Sequence, residues 1–243
     1  MEKLRHETCV AKNGKTIESI VRRNIKLKIL NPTAVARGAV LRALSKSDGP
    51  ERFSQCSYGL SLKEPYMPEE YEAHRNATAK IDDDDGCWYV ERTIDWKINK
   101  GSQVPNGHEI KFLVRQTFAH RRRKLGCTVD LYVSDKEHKS HYPLKHASNK
   151  GTELARKISL DWTILKKSKR FQPEMPLEDS VYKGQANRMY WAVYYDVVLI
   201  LEGRNPRYEA RWPSSPDLRA GEEQQVYEQG QICVAAAFKP GIE

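Results

Sequence analysis

Trp88-Tyr-Val-Glu-Arg-Thr-Ile-Asp-Trp-Lys-Ile98 alternates apolar and polar side chains along most of its length. Trp88, Val90, Ile94, Trp96 and Ile98 fall on one face, interrupted by Arg92. Tyr89, Glu91, Thr93, Asp95 and Lys97 fall on the other. A period of two marks a strand with one face turned to a core, and Lys100-Gly101 closes it. The same pattern recurs on either side. Periodicity turns to two from Phe53 to Leu62. Glu109–Phe118 aligns Ile110, Phe112, Val114 and Phe118, and Cys127–Val133 aligns Cys127, Val129, Leu131 and Val133. Lys157–Ile164 directs Ile158, Leu160, Trp162 and Ile164 inward. Met189–Leu201 can be buried on both faces apart from Asp196, and Gln231–Phe238 reads as the last strand. Strands in succession, joined by polar loops with Gly and Pro, predict an antiparallel β domain. The connections at 64–85, 134–156 and 202–229 are long, which suggests lids, insertions or disorder. Four adjacent carboxylates, Asp82 to Asp85, repel one another and predict a solvated loop.

One helix is expected ahead of the strands, over Asn31-Pro-Thr-Ala-Val-Ala-Arg-Gly-Ala-Val-Leu-Arg-Ala-Leu44. Asn31 suits the N-cap and Pro32 the first helical position, where no amide donor is needed. Val35, Ala39 and Ala43 form a stripe of short side chains. Gly38 within it costs about 1 kcal/mol relative to Ala, which close approach of a neighbouring element would offset. Asp48-Gly-Pro50 is strong turn chemistry and separates this helix from the strands. The fold class is therefore α+β, mainly β.

Composition sets the limits. The chain has 243 residues, 39% hydrophobic and 30% charged, with a mean hydropathy of −0.72. The longest apolar runs, Met189–Tyr195 and Ile232–Phe238, are seven residues each. A spanning helix needs about 18 or more, so no membrane partner is expected. The first 28 residues are charged throughout, without the apolar stretch of a secretory signal. The five cysteines (Cys9, Cys56, Cys87, Cys127, Cys233) are scattered, without CxxC spacing, which predicts reduced thiols and a cytosolic or nuclear setting.

The segment Asn31–Leu44 resembles the last helix of the actin-like ATPase domain in the 70-kDa heat-shock chaperone family. Ala34-Val-Ala-Arg-Gly-Ala39 carries the likeness, with Arg37 where chaperones usually have Tyr. The Arg form resembles the divergent members of filamentous fungi. The downstream segments keep the family's order. Ser57-Tyr-Gly-Leu60 resembles the first strand after the ATPase domain, and Trp96-Lys-Ile-Asn-Lys-Gly101 with Val104-Pro105 resembles the next strand and turn. Glu109–Phe118, Cys127–Asp135 and Ile158–Leu165 resemble later strands of the β-sandwich that binds peptides. The resemblance implies two domains: a remnant of the ATPase domain over 1–50 and a β-rich, chaperone-like domain over 51–243. It implies unfolded peptide or protein clients, held extended in an apolar channel between strand loops.

The family's phosphate-binding motifs, of the Asp-Leu-Gly-Thr-Thr and Asp-x-Gly-Gly-Gly-Thr types, do not occur in this sequence, and Lys12-Asn-Gly-Lys-Thr16 is not the adenosine turn. Triphosphate binding needs Gly-rich backbone donors and a carboxylate-held metal. The expectation is a chain that looks like the C-terminal portion of the family pattern, with no ATPase activity of its own and no cofactor. ATP belongs to the resembled family. Any peptide binding would be uncoupled from nucleotide.

Two basic runs support a competing reading. The 41 Lys and Arg exceed the 32 Asp and Glu, for a net charge of +9. Lys111, Arg115, Arg121, Arg122, Arg123 and Lys124 form one run without an acid, and Lys166, Lys167, Lys169 and Arg170 form the other. Together they would suit a nucleic-acid-binding β module, with Phe112, Phe118 and Phe171 interleaved. Solvated loop tips explain the same runs. His138, His141 and His146 are spaced like metal ligands, but Lys139 and Lys145 intrude, and a surface loop without metal is the better reading. Cys127 opens an apolar strand face, where a thiol behaves as a small hydrophobe rather than a nucleophile. Trp88, Trp96, Trp162 and Trp191 are read as core residues. A third reading is an inert fragment, prone to aggregate through the unpartnered face of its first helix.

Overall fold

A computed structural model of the protein describes residues 52–105, 107–201 and 206–232. The expected helix at Asn31–Leu44 and the proposed remnant domain at 1–50 lie outside these residues, as do Cys9 and Cys233. All described residues belong to one unit, Glu51–Glu243.

The described chain is mainly β, and its strands pair antiparallel. In order they are β1 (Arg52–Phe53), β2 (Ser57–Pro65), β3 (Ala79–Ile81), β4 (Trp88–Ile98), β5 (Gln103–Val104), β6 (His108–Ala119), β7 (Gly126–Ser134), β8 (Tyr142–Pro143), β9 (Glu153–Asp161), β10 (Tyr190–Leu201), β11 (Arg207–Trp212) and β12 (Gln225–Gln231). A six-stranded sheet runs β3-β4-β2-β7-β9, with β8 also paired to β4. A four-stranded sheet runs β12-β11-β10-β6, and β1 pairs with β5. A four-residue helix, α1 (Glu72–Arg75), lies between β2 and β3.

The alternating residues meet in one core between the sheets. Leu60, Val129, Leu131, Ile158 and Leu160 from the larger sheet pack with Phe112, Val114, Phe118, Val197 and Leu199 from the smaller. Leu125 and Trp162, both fully buried, belong to the same cluster. Each such side chain contributes about 1.5–3 kcal/mol by leaving water.

β4 departs from its simple alternation. Leu62 faces Thr93 but Glu64 faces Val90, so β4 carries an extra residue, and Arg92 there has φ 54. A second irregularity separates the pairs Tyr58–Ile98 and Gly59–Trp96. An extra residue moves the remainder of the strand to the other face. Ile98 therefore joins the inter-sheet core, while Ile94 and Trp96 form a separate cluster with Tyr132 and Leu144. Trp88, expected inside, is 48% exposed.

The long connections are also more ordered than the sequence predicts. Within 134–156 the chain crosses the outer face of the larger sheet and is fixed there. Trp96 stacks on His138 with ring centres 4.6 Å apart and donates from Nε1 to Asn149 Oδ1 at 3.0 Å. Gly59 allows this, because a Cβ there would lie 2.6 Å from Ile94 Cγ2 and 2.7 Å from the Trp96 ring. The stretch 202–229 contains β11 and most of β12, which its many charged residues disguised. Ile164, expected inside, is 59% exposed because the strand ends at Asp161 and the chain turns into a 3-10 helix, Thr163–Lys167. Asp196, the expected exception to the burial of β10, is buried too, accepting from the Ser215 amide at 2.9 Å and Gln224 Nε2 at 2.8 Å.

Candidate functional site

The ten basic residues of the two sequence runs do not form a single site. β6 is extended, so Lys111 lies about 25 Å along the strand from the turn that carries Arg121. Lys111 faces Ser215 Oγ at 3.4 Å. Arg115 points into a buried polar centre. Arg170 is ion-paired with Glu222 and also donates to the Asp217 carbonyl.

The remaining seven come together. The turn after β6 and the 3-10 helix Thr163–Lys167 are tied by backbone and side-chain bonds. Leu125 N donates to Thr163 Oγ1 at 2.8 Å, and Trp162 N to Leu125 O at 3.0 Å. Lys166 Nζ donates to the carbonyls of Arg122 and Arg123. Arg122 lies over Phe118 at 5.2 Å, and Lys166 over Trp191 at 4.9 Å. Arg121, Arg122, Arg123, Lys124, Lys167 and Lys169 are exposed around this junction. Of the interleaved aromatics, Phe112, Phe118 and Phe171 are all buried, so none presents a ring to a base.

Arg115 organises a constellation that joins the two sheets. Its Nη1 donates to Asp85 Oδ2 at 2.6 Å and also to the Tyr89 hydroxyl. Its Nε donates to the Tyr194 hydroxyl at 2.9 Å and Nη2 to the Tyr190 hydroxyl at 3.1 Å. The Tyr190 hydroxyl donates to Glu174 Oε2 at 3.3 Å. Beside it, Lys63 pairs with Asp82 and donates to Thr117 Oγ1 at 3.1 Å. The expectation of a solvated acidic loop is corrected here: Asp83 is exposed, but Asp85 is fully buried and Asp82 is paired. Asp85 also accepts from the Tyr89 hydroxyl at 2.6 Å and from Cys87 N at 2.9 Å. These bonds return what burial costs a carboxylate.

The electrostatics follow from that packing. Burial opposes the charge on Arg115, but Tyr89 and Asp85 outweigh it and hold the guanidinium more firmly protonated than usual. Burial pushes the hydroxyls of Tyr89 and Tyr190 up, so they remain donors. Burial also raises Glu174. The centre is a fixed set of donors and acceptors that link strands. Nothing in the sequence reading announced it, because the register that sets Arg115 directly opposite Tyr194 arises only when β6 and β10 pair.

A second polar cluster holds the outer cover in place. Glu64 accepts from His141 Nδ1 at 3.0 Å and from His74 Nε2 at 3.3 Å. Met67 N donates to His74 Nδ1 at 3.1 Å, which places the His74 proton on Nε2. Tyr71 stacks on His141 with ring centres 3.9 Å apart. His138 instead bonds Ser134 Oγ and the Ser148 carbonyl, and His146 stacks on Tyr142. The three histidines expected on a surface loop are thus engaged in separate contacts of the cover. Among the described residues no group of three or more His, Cys, Asp or Glu has an arrangement that could hold a metal.

The described surface also has an apolar corner at the edge of the larger sheet. Ile81 and Trp88 are register partners in β3 and β4, 40% and 48% exposed. Tyr66 N donates to Trp88 O, and the next residue, Met67, is exposed. Val181 N donates to Gly86 O and adds another exposed side chain. A shallow, open depression of about 290 Å³ lies elsewhere, lined by Leu160, Trp162 and Tyr227. That is at the lower limit for a small-molecule site. Cys56, Cys87 and Cys127 are free. Burial raises the Cys127 thiol and takes Cys87 up to about 11, away from thiolate chemistry.

Residues 52–182 match the model of a family described as a domain of unknown function (DUF8568), and the chain belongs to that family. The match ends ahead of β10. No curated protein and no solved structure matches the chain.

Proposed function

We propose that this member of the DUF8568 family is a peptide-binding β-sandwich related to the substrate-binding half of 70-kDa heat-shock chaperones, working without a nucleotide cycle. The strand succession supports the relationship. Ser57–Leu60 lies in β2, Trp96–Ile98 ends β4, Val104 ends β5, Glu109–Phe118 lies in β6 and Cys127–Ser134 in β7. The segments that resemble the chaperone are therefore strands drawn from all three sheets, and each sheet contributes residues to one core.

The observation that carries the binding reading is the apolar corner of Met67, Ile81, Trp88 and Val181. Grouped large apolar side chains on a surface mark an interaction site more often than scattered ones do. They flank β3, a three-residue edge strand whose one partner among the described strands is β4. An extended peptide can pair with a sheet edge through its backbone and seat alternate side chains in such a corner. The client class is thus an extended, apolar segment of an unfolded protein.

Fluorescence anisotropy with a labelled extended apolar peptide tests the proposal. Saturable binding is expected, weakened at least about tenfold (about 1.4 kcal/mol) by Trp88→Ala with Ile81→Ser, and unchanged by ATP. Absence of saturable binding, or equal binding by the double variant, refutes it.

A further inference from the structure

The two basic runs, at least 42 residues apart in sequence (Lys124 to Lys166), converge at one end of the sandwich. From the contacts there we infer that this junction is a second binding surface, which grips the phosphodiester backbone of nucleic acid without reading its sequence. Among the described residues, Arg121, Arg122, Arg123, Lys124, Lys166, Lys167 and Lys169 form no ion pair. Two carboxylates act on the junction electrostatically, Asp84 through Arg122 and Asp161 through Lys124. Seven cations gathered at one junction leave a concentrated positive field.

Presentation matters as much as charge. A flexible basic tail pays the entropy of ordering when it binds, whereas this turn is held before any ligand arrives. Lys166 bonds the carbonyls of Arg122 and Arg123, Thr163 Oγ1 accepts from Leu125 N, and Arg122 Nη2 donates to Gly126 O at 3.2 Å. Arg121, Arg123, Lys124, Lys167 and Lys169 then project from a fixed backbone. Arginine suits phosphate through its planar fork of donors.

The ring contacts decide what is read. Trp191 is stacked against Phe171, with ring centres 5.0 Å apart, and His120 lies 6.0 Å from it on a near-parallel plane. Lys166 lies over the Trp191 ring. Phe171 is buried and the half-buried Trp191 ring is flanked by Phe171 and Lys166, which leaves the exposed His120 as the ring beside the cations, so binding depends mainly on backbone charge. An anionic bilayer would meet the same cations. The apolar contribution there is one side chain, Ile164, and a lone exposed apolar residue is ordinary. Nucleic acid is the better fit.

The test is a salt titration of the full chain with a labelled uridine oligomer and, in parallel, duplex DNA. Strong binding at low salt is expected, falling steeply as salt rises. Arg121→Gln, Arg123→Gln and Lys124→Gln combined should lower affinity for the oligomer at least about tenfold and reduce the log–log salt slope by about two. Lys167→Gln with Lys169→Gln, on the other side of the junction, should reduce it by about one. All five side chains are exposed, so circular dichroism melting should match the parent chain. Arg121→Lys with Arg123→Lys should retain the slope. Unchanged slopes in both glutamine variants overturn the inference. Binding to phosphatidylserine vesicles, lost in Ile164→Asp, without binding to either nucleic acid also overturns it. Because the apolar corner is untouched, these variants should bind the peptide as the parent does.

Discussion

The carboxylate of Asp85, fully buried, accepts from Arg115 Nη1 at 2.6 Å across 30 residues of sequence. Asp85 lies in the loop before β4 of the larger sheet, and Arg115 lies in β6 of the smaller. The bond therefore joins the two larger sheets. Removing one partner leaves the other as an uncompensated buried charge, which typically costs about 3–5 kcal/mol. Arg115→Met and Asp85→Leu should each destabilise by about 3 kcal/mol or more in urea unfolding. The double variant should lose less than the sum, because no charge is then stranded.

Glu64 and His141 predict a defined pH dependence. Burial pushes the Glu64 carboxyl up, but its bonds to His141, Thr93 and His74 outweigh this, and its pKa falls below 4.5. The bond to Glu64 raises His141 above 6.5. A raised histidine contributes stability that is complete below its unfolded value and is lost as pH rises through its higher folded value. A depressed carboxylate contributes stability present above its unfolded value and lost as pH falls through its lower folded value. The pair should contribute most between about pH 4.5 and 6.5. Asp95 and Lys97 also act on His141, in opposite directions. In His141→Gln, urea midpoints measured across pH should fall off less steeply on the alkaline side of that window.

Asn149 uses its whole amide. It accepts from Trp96 Nε1 at 3.0 Å and donates to the carbonyls of Tyr142 and Pro143 at 2.9 and 3.0 Å. Asn149→Leu strands the buried Trp96 N–H and two part-buried carbonyls and should cost about 2 kcal/mol or more. Hydrogen exchange should speed up over 138–149 while the β6–β10 amides stay protected, since the cover can open without separating the sheets.

Gly59 permits the crossing of Trp96 over β2. In Gly59→Ala the new methyl would lie 2.6 Å from Ile94 and 2.7 Å from the Trp96 ring, both in the interior of the sheet. Overpacking of this kind costs about 1–3 kcal/mol. A lowered melting temperature is expected, with Trp96→Phe in the same chain recovering part of the loss.

The antiparallel β character could be read directly from the alternation in Glu109–Phe118, Cys127–Val133 and the first part of Lys157–Ile164, because a period of two is a local property of a pleated backbone. What could not be read is where that period breaks. Arg92 interrupts the apolar face at that point, but a polar residue in an alternation does not by itself announce an extra residue, and the faces of Ile94, Trp96 and Ile98 depend on how β4 aligns with β2. The charged run 202–229 hid β11 and most of β12 for a related reason: Glu209 and Arg211 look solvated until Glu109 and Arg207 are beside them.

Sequence alone determined the succession of strands, the excess of positive charge and the absence of a run apolar enough to span a bilayer. Only tertiary structure decided which charges are free. Arg115 and Arg123 belong to the same basic run, yet one is consumed between two sheets and the other stands exposed on a turn. The physical reason is that a charge is made costly or cheap by its surroundings, and here those come from strands distant along the chain.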